Sequence, residues 1–132
     1  MTTNDILSLA RTVRSRAYAP YSKYHVAAVV RGVNGKLYAG TNVENIAYPV
    51  GNCAETSALA AMIADGETRI TEALVIGPEG DLCTPCGACR QRLREFADND
   101  LPIHLADPRG IQKTVTLGDL LPLSFGPAFL KK

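Results

Sequence analysis

A chain of 132 residues with 46% hydrophobic and 20% charged side chains is long enough for one domain with a real core, residues 1–132, and too apolar for a disordered segment. Its formal net charge of +1 lacks the basic excess of a polynucleotide binder, so the expected partner is a small molecule and no nucleic acid. No apolar run reaches the length of a bilayer span and the first residues are polar, so no membrane partner and a cytoplasmic location are expected.

Ile6, Leu7, Ala10, Val13 and Ala17 recur at helical spacing and predict a first helix over 4–18, with Asn4 as its cap. The valine- and alanine-rich stretch 25–33 predicts a strand, Asn34-Gly35 a turn, and 37–42 the return strand of a hairpin. A polar loop over 42–51 leads to a second helix over 53–65, whose Ala54, Ala58, Ala61 and Met62 suit close packing. A strand over 72–77, a third helix over 85–97, two strands over 102–106 and 111–117 and a proline-interrupted tail over 120–130 complete the order. Alternating strands and helices predict a three-layer α/β/α sandwich around a five-stranded mixed sheet, with a largely parallel centre.

The chemistry concentrates in Asn52-Cys53-Ala54-Glu55 and Thr84-Pro85-Cys86-Gly87-Ala88-Cys89. Zinc takes thiolate ligands in tetrahedral geometry, and a catalytic zinc keeps three protein ligands and one position for water. Cys53, Cys86 and Cys89 are the candidate ligands of one Zn²⁺ per chain. Glu55, two residues after the first, is the candidate proton shuttle. Asn52 and Thr84 as helix caps would place the sulfurs at helix N-termini, where partial positive charge favours thiolate.

Duller readings compete. Glu55 could be the reciprocal member of a capping box with Asn52, Cys86 and Cys89 a redox pair, and all four cysteines a closed structural zinc or iron–sulfur site. Against the closed site, Cys83 precedes Pro85 and lies outside the helix that holds the Cys86 and Cys89 pair. A closed site would also leave Glu55 without a task.

The constellation matches in outline the signature of zinc-dependent nucleobase deaminases, with cysteine in the histidine position. More specifically, the chain resembles the small, homotetrameric, three-cysteine class of cytidine deaminase over nearly its whole length. The resemblance is carried by Tyr18-Ala19-Pro20-Tyr21-Ser22-Lys23-Tyr24, Asn42-Val43-Glu44-Asn45, Tyr48-Pro49 leading to Cys53-Ala54-Glu55, Pro85-Cys86-Gly87-Ala88-Cys89-Arg90-Gln91 and the 120–127 tail. It implies hydrolytic deamination of cytidine and deoxycytidine in pyrimidine salvage. It further implies that Asn42 and Glu44 hold the ribose hydroxyls, that the Ala54 backbone meets the pyrimidine edge, and that Tyr24 stacks near the base. Tyr48 and Phe125 are implied to reach the sites of neighbouring subunits.

Three departures from that family's pattern stand out. Thr56 follows the glutamate where the family commonly has an arginine bonded to ligand sulfurs, and Arg90 is the expected replacement cation. Tyr24 replaces the usual Phe, and Ala27 the usual Gly. Rival readings are a deaminase of a modified or antibiotic nucleoside or of a free base, a non-catalytic zinc-stapled domain, and a polynucleotide editor, which the near-neutral charge disfavours.

Overall fold

In the computed structural model, which describes residues 2–131, the elements are α1 (Thr3–Arg14), β1 (Ala27–Gly32), β2 (Leu37–Thr41), α2 (Ala54–Ala64), β3 (Ile70–Ile76), α3 (Gly87–Phe96), β4 (Pro102–Asp107), β5 (Gly110–Thr116) and α4 (Leu117–Leu120). Short 3-10 turns stand at Tyr48–Val50 and Pro127–Phe129. Thr2, rather than Asn4, caps α1. Its hydroxyl accepts from the Asp5 N–H and its own N–H donates to the Asp5 carboxylate, at 3.3 and 2.6 Å. The helix also stops at Arg14, short of residue 18, because Tyr18 gives its backbone to a bridge: its N–H donates to Asn42 and its carbonyl accepts from Glu44.

The five strands form one sheet in the order β2-β1-β3-β4-β5. Its centre is not largely parallel: β3 and β4 are the one parallel pair, and β1 runs antiparallel to both β2 and β3. The two connecting helices do join parallel strands, α2 between β2 and β3 and α3 between β3 and β4. The hairpin nevertheless places β1 between β2 and β3, so the first of those parallel relations spans a strand in between. The helices lie on both faces. Ile6, Leu7 and Ala10 of α1 pack on Ala27, Val29, Leu74 and Ile76, while Ala58, Leu59 and Met62 of α2 and Leu93 of α3 pack on Val30, Ala73, Ile103 and Leu105. This is the three-layer sandwich with a five-stranded mixed sheet.

One close approach seats the start of α2. A Cβ at Gly40 would collide with the Ala58 backbone nitrogen and stand 2.6 Å from the Ser57 Cβ, so a larger residue on β2 would lift the helix that carries Glu55 off the sheet. Ala54, Glu55, Ala58, Leu59 and Met62 are the buried positions of α2, and Ala61, expected on that face, is exposed.

The loop after β3 is tied down by a buried carboxylate. Asp107 at the end of β4 is fully buried; its Oδ2 accepts from the Gly80 N–H at 3.0 Å and from Arg109 Nη2 at 2.8 Å, and its Oδ1 from the Arg109 N–H at 2.8 Å. The Arg109 side chain, then the Gly80 N–H, hold the Asp107 carboxyl well below the usual carboxylate range. A depressed native pKa contributes stability that is complete above the unfolded value of about 4 and fades as pH falls below it. Asp107→Asn therefore lowers the thermal midpoint at pH 6, and its deficit relative to wild type holds down to about pH 4 and narrows from there to pH 3. Thermal melts of both proteins across that range check the sign.

Candidate metal centre and adjoining cavity

Cys53 and Cys86 are themselves the N-cap residues of α2 and α3, in extended backbone conformation, and Cys89 lies in the first turn of α3. Asn52 and Thr84 do not cap. Asn52 is held outside the helix by a reciprocal backbone bridge to Val43, with both bonds 2.9 Å, and α3 begins after Cys86 rather than at Pro85. Neither capping cysteine makes a side-chain cap bond, which leaves both sulfurs beside open helix N-termini. The capping-box reading of Glu55 fails for the same reason.

The Sγ atoms of Cys53, Cys86 and Cys89 lie within 4.8 Å of one another, and Cys53 and Cys86 are 3.8 Å apart. Two Zn–S bonds of ~2.3 Å at a tetrahedral angle demand roughly this separation. Burial, then the charges of Glu55 and Cys53, push the Cys89 thiol above its ordinary range, and burial, then Cys86, push Cys53 up. Cys53 and Cys89 are thus poor thiolates on their own, whereas at Cys86 burial is outweighed by hydrogen bonds from Cys89 and Cys53, which lower its thiol, and a divalent cation among the three favours thiolate throughout. Donor type, spacing and electrostatics all fit one zinc.

Cys83 stands outside this group. Its thiol packs where a Cβ at Gly77 would come within 3.1 Å of its sulfur, and the Tyr24 hydroxyl lies on the same glycine. Partial burial, then the neighbouring Cys83 and Asp81, push the Tyr24 hydroxyl up to about 12, so it stays a neutral donor near pH 7.

Glu55 is 4% exposed, and burial raises its carboxyl above the usual range. The Cys89 side chain and the charge of Arg92 oppose that rise. Arg90, the cation expected at the sulfurs, is occupied elsewhere. It donates to the carbonyls of Pro85 and Leu120 at 2.8 and 2.9 Å and to the Thr84 hydroxyl at 3.3 Å, fastening the C-terminal segment to the start of α3. Arg92 reaches the metal centre instead: its Nη1 donates to Cys89 Sγ at 3.7 Å, and the Thr56 hydroxyl lies 3.9 Å from the same sulfur.

Beside Cys53 opens a cavity of about 450 Å³ lined by Tyr21, Ser22, Asn42, Glu44, Tyr48 and Asn52, among others. Asn42 Oδ1 accepts from the Val26 N–H at 3.1 Å and its Nδ2 donates to the Tyr24 carbonyl at 2.7 Å. Glu44 accepts from the Tyr21 and Ser22 N–H groups at 3.0 and 3.1 Å and from the Ser22 hydroxyl. Both side chains thus shape the 21–26 loop as well as face the cavity. The structure brings Asn42, Glu44, Tyr48 and Cys53 together. It places Tyr48 at its own chain's cavity, and Phe125 away from that lining, stacked edge-on with Phe129 at 5.1 Å and held by a 2.8 Å bond from Gln91 to its carbonyl. Tyr21, Ser22 and Asn52 were not singled out as lining residues from the sequence, although the tyrosine-rich motif around the first two was the available signal.

Three thiols at two helix N-termini that could hold one zinc, with a buried glutamate beside them and an adjoining cavity, fit a metal-dependent hydrolytic enzyme. Residues 1–105 match the cytidine and deoxycytidylate deaminase zinc-binding region, and the chain belongs to that family. It is 34% identical over 125 residues to a cytidine deaminase of Sporosarcina psychrophila, covering 95% of this chain and 92% of that one. It is 38% identical over 124 residues to a Mycobacterium tuberculosis cytidine deaminase, covering 93% and 89%. The crystal structure of cytidine deaminase from Burkholderia pseudomallei superposes with a TM-score of 0.88 at 37% identity, covering 95% of this chain and all of the other. That from Mycobacterium tuberculosis superposes at 0.83 and 33% identity, covering 96% and 98%.

Proposed function

We propose that the chain hydrolyses cytidine and deoxycytidine to uridine and deoxyuridine with release of ammonia. The observation that carries this reading is the placement of Glu55, buried and sulfur-adjacent, on the helix whose cap supplies the first ligand. Cys53, Cys86 and Cys89 hold the zinc, which when bound supplies the Lewis acidity that makes water a nucleophile near neutral pH. Glu55 takes the proton from the attacking water and delivers it to ring N3; it then takes the proton of the new C4 hydroxyl and passes it to the amine, so that the C4 carbonyl forms as the C–N bond breaks and ammonia leaves. Its raised pKa suits a group that must carry the proton and then release it.

The backbone of Ala54 meets the pyrimidine edge and Tyr24 flanks the base. Asn42 and Glu44 hold the ribose hydroxyls with the capacity that the loop leaves over. A carboxylate offers about four acceptor sites, of which the Tyr21 and Ser22 donors use three, and Asn42 keeps one amide hydrogen and one lone pair free. Ultraviolet absorbance and ammonia are followed on mixing with cytidine, deoxycytidine and the analogue lacking the 3′-hydroxyl. The reading requires turnover of the first two and at least a tenfold loss of kcat/KM for the analogue, since a site built to pair a hydroxyl is left with buried partners unpaired. Equal turnover of the analogue overturns the role of Glu44, and no turnover of cytidine overturns the activity.

One domain over residues 1–132 carries these groups, and we place it in a homotetramer with shared sites. Supporting that assembly are the exposed aromatics Tyr48, Phe125 and Phe129 and an apolar groove between α2 and α3 lined by Leu59, Ala60, Ile63 and Phe96. Three ligand thiols need a reducing compartment, which supports a cytoplasmic location, and pyrimidine salvage is the role we assign to the reaction. None of the described helices is long and apolar enough to cross a membrane.

A further inference from the structure

Three thiolates around Zn²⁺ leave a net negative centre, and Glu55 adds a further negative charge beside it. Such a centre, with its sulfurs drawn out of water, holds its metal better when a fixed positive charge and a donor point at a ligand sulfur. Among the described residues, Arg92 is the one guanidinium that donates to a ligand sulfur, through Nη1 to Cys89 Sγ at 3.7 Å. Cys89 is fully buried, so the sulfur end of this contact is dry even though the Arg92 side chain reaches solvent. Position explains the geometry: Arg92 follows Cys89 by three residues on α3 and lies on the same face one turn along. From the facing helix α2, Thr56 brings its hydroxyl within 3.9 Å of that sulfur, adding a neutral donor and no charge.

We propose that Arg92 is a positioning residue of the zinc centre, whose fixed charge on the Cys89 sulfur retains the metal and balances the charge of the site beside Glu55. The proposal rests on the zinc-dependent reading above.

The test uses the zinc-loaded protein and the variants Arg92→Gln and Arg92→Lys. Zinc release to an excess of a chromogenic chelator is timed at pH 7.5, alongside the thermal midpoint of each metal-free protein. Loss of an outer partner of a metal ligand costs on the order of tenfold or more in metal affinity. Arg92→Gln is therefore expected to release zinc about tenfold faster, Arg92→Lys to stay within about threefold of wild type, and the metal-free melting points to coincide. Equal release from wild type and Arg92→Gln overturns the proposal. So does equal acceleration in both variants, or a matching fall in metal-free melting point, which would mark a packing role. A wild-type protein that holds zinc but does not deaminate cytidine would overturn the activity and leave Arg92 standing, whereas one that holds no zinc would overturn both.

Discussion

Glu55→Gln keeps its zinc and its fold and loses about 10³-fold or more in kcat. The substitution preserves the size and burial of a side chain that is 4% exposed. The helix start is therefore undisturbed, and removing a negative charge beside three sulfurs does not weaken their hold on a cation. What disappears is the capacity to accept a proton from water and return it to the ring. Positioned acid–base groups contribute on the order of 10²–10⁴-fold, and this one serves more than one transfer in the cycle. Single-turnover absorbance changes with metal content measured on the same sample separate the outcomes. Retained zinc with kcat within tenfold of wild type would remove Glu55 from the chemistry, and loss of zinc would make it a structural residue.

Cys89→Ala loses zinc and with it all measurable deamination, while Cys83→Ser keeps both. Cys89 is the most buried of the four cysteines and its sulfur meets Arg92 and Thr56, so its removal leaves two ligands and takes away the sulfur that both side chains meet at the join of α2 and α3. Structural thiolate sites draw about 10–16 kcal/mol of apparent binding free energy from all their ligands together, and two sulfurs do not retain the ion against a chelator. Cys83 packs beside Gly77 and Tyr24 and lies outside the three-sulfur cluster, so exchange of its sulfur for oxygen leaves the metal in place. Zinc analysis after dialysis against a chelator reads both variants at once. Zinc lost from Cys83→Ser would restore the closed four-cysteine site.

The three-sulfur cluster was legible in the amino-acid order because thiols three residues apart at a helix start have few alternative uses, and a third thiol followed by glutamate narrows them further. The layers were legible from periodicity: Ile6, Leu7 and Ala10 face one side of the sheet, Ala58 and Met62 the other. Strand polarity was not, since nothing in the apolar pattern of β1 says that it will separate β2 from β3. Caps misled because Asn52, a good capping residue by type, gives its backbone to Val43 and leaves the cap position to the ligand beside it.

The charge at the sulfurs was misassigned to Arg90 on sequence adjacency. On a helix the neighbour of Cys89 points about 100° away, towards Thr84 and Leu120, while the residue three further on shares its face. Asn42 and Glu44 show another case: expected to serve a ligand, they organise the 21–26 backbone in this structure, and that role does not exhaust their hydrogen-bonding capacity.

Diffraction recorded on either side of the zinc absorption edge, from crystals of the metal-loaded protein, locates the ion without assumption. We expect one anomalous peak per chain, about 2.3 Å from the sulfurs of Cys53, Cys86 and Cys89, with its remaining side turned to Glu55 and free of protein. A peak whose fourth neighbour is Cys83, or no peak among these sulfurs, would contradict the account.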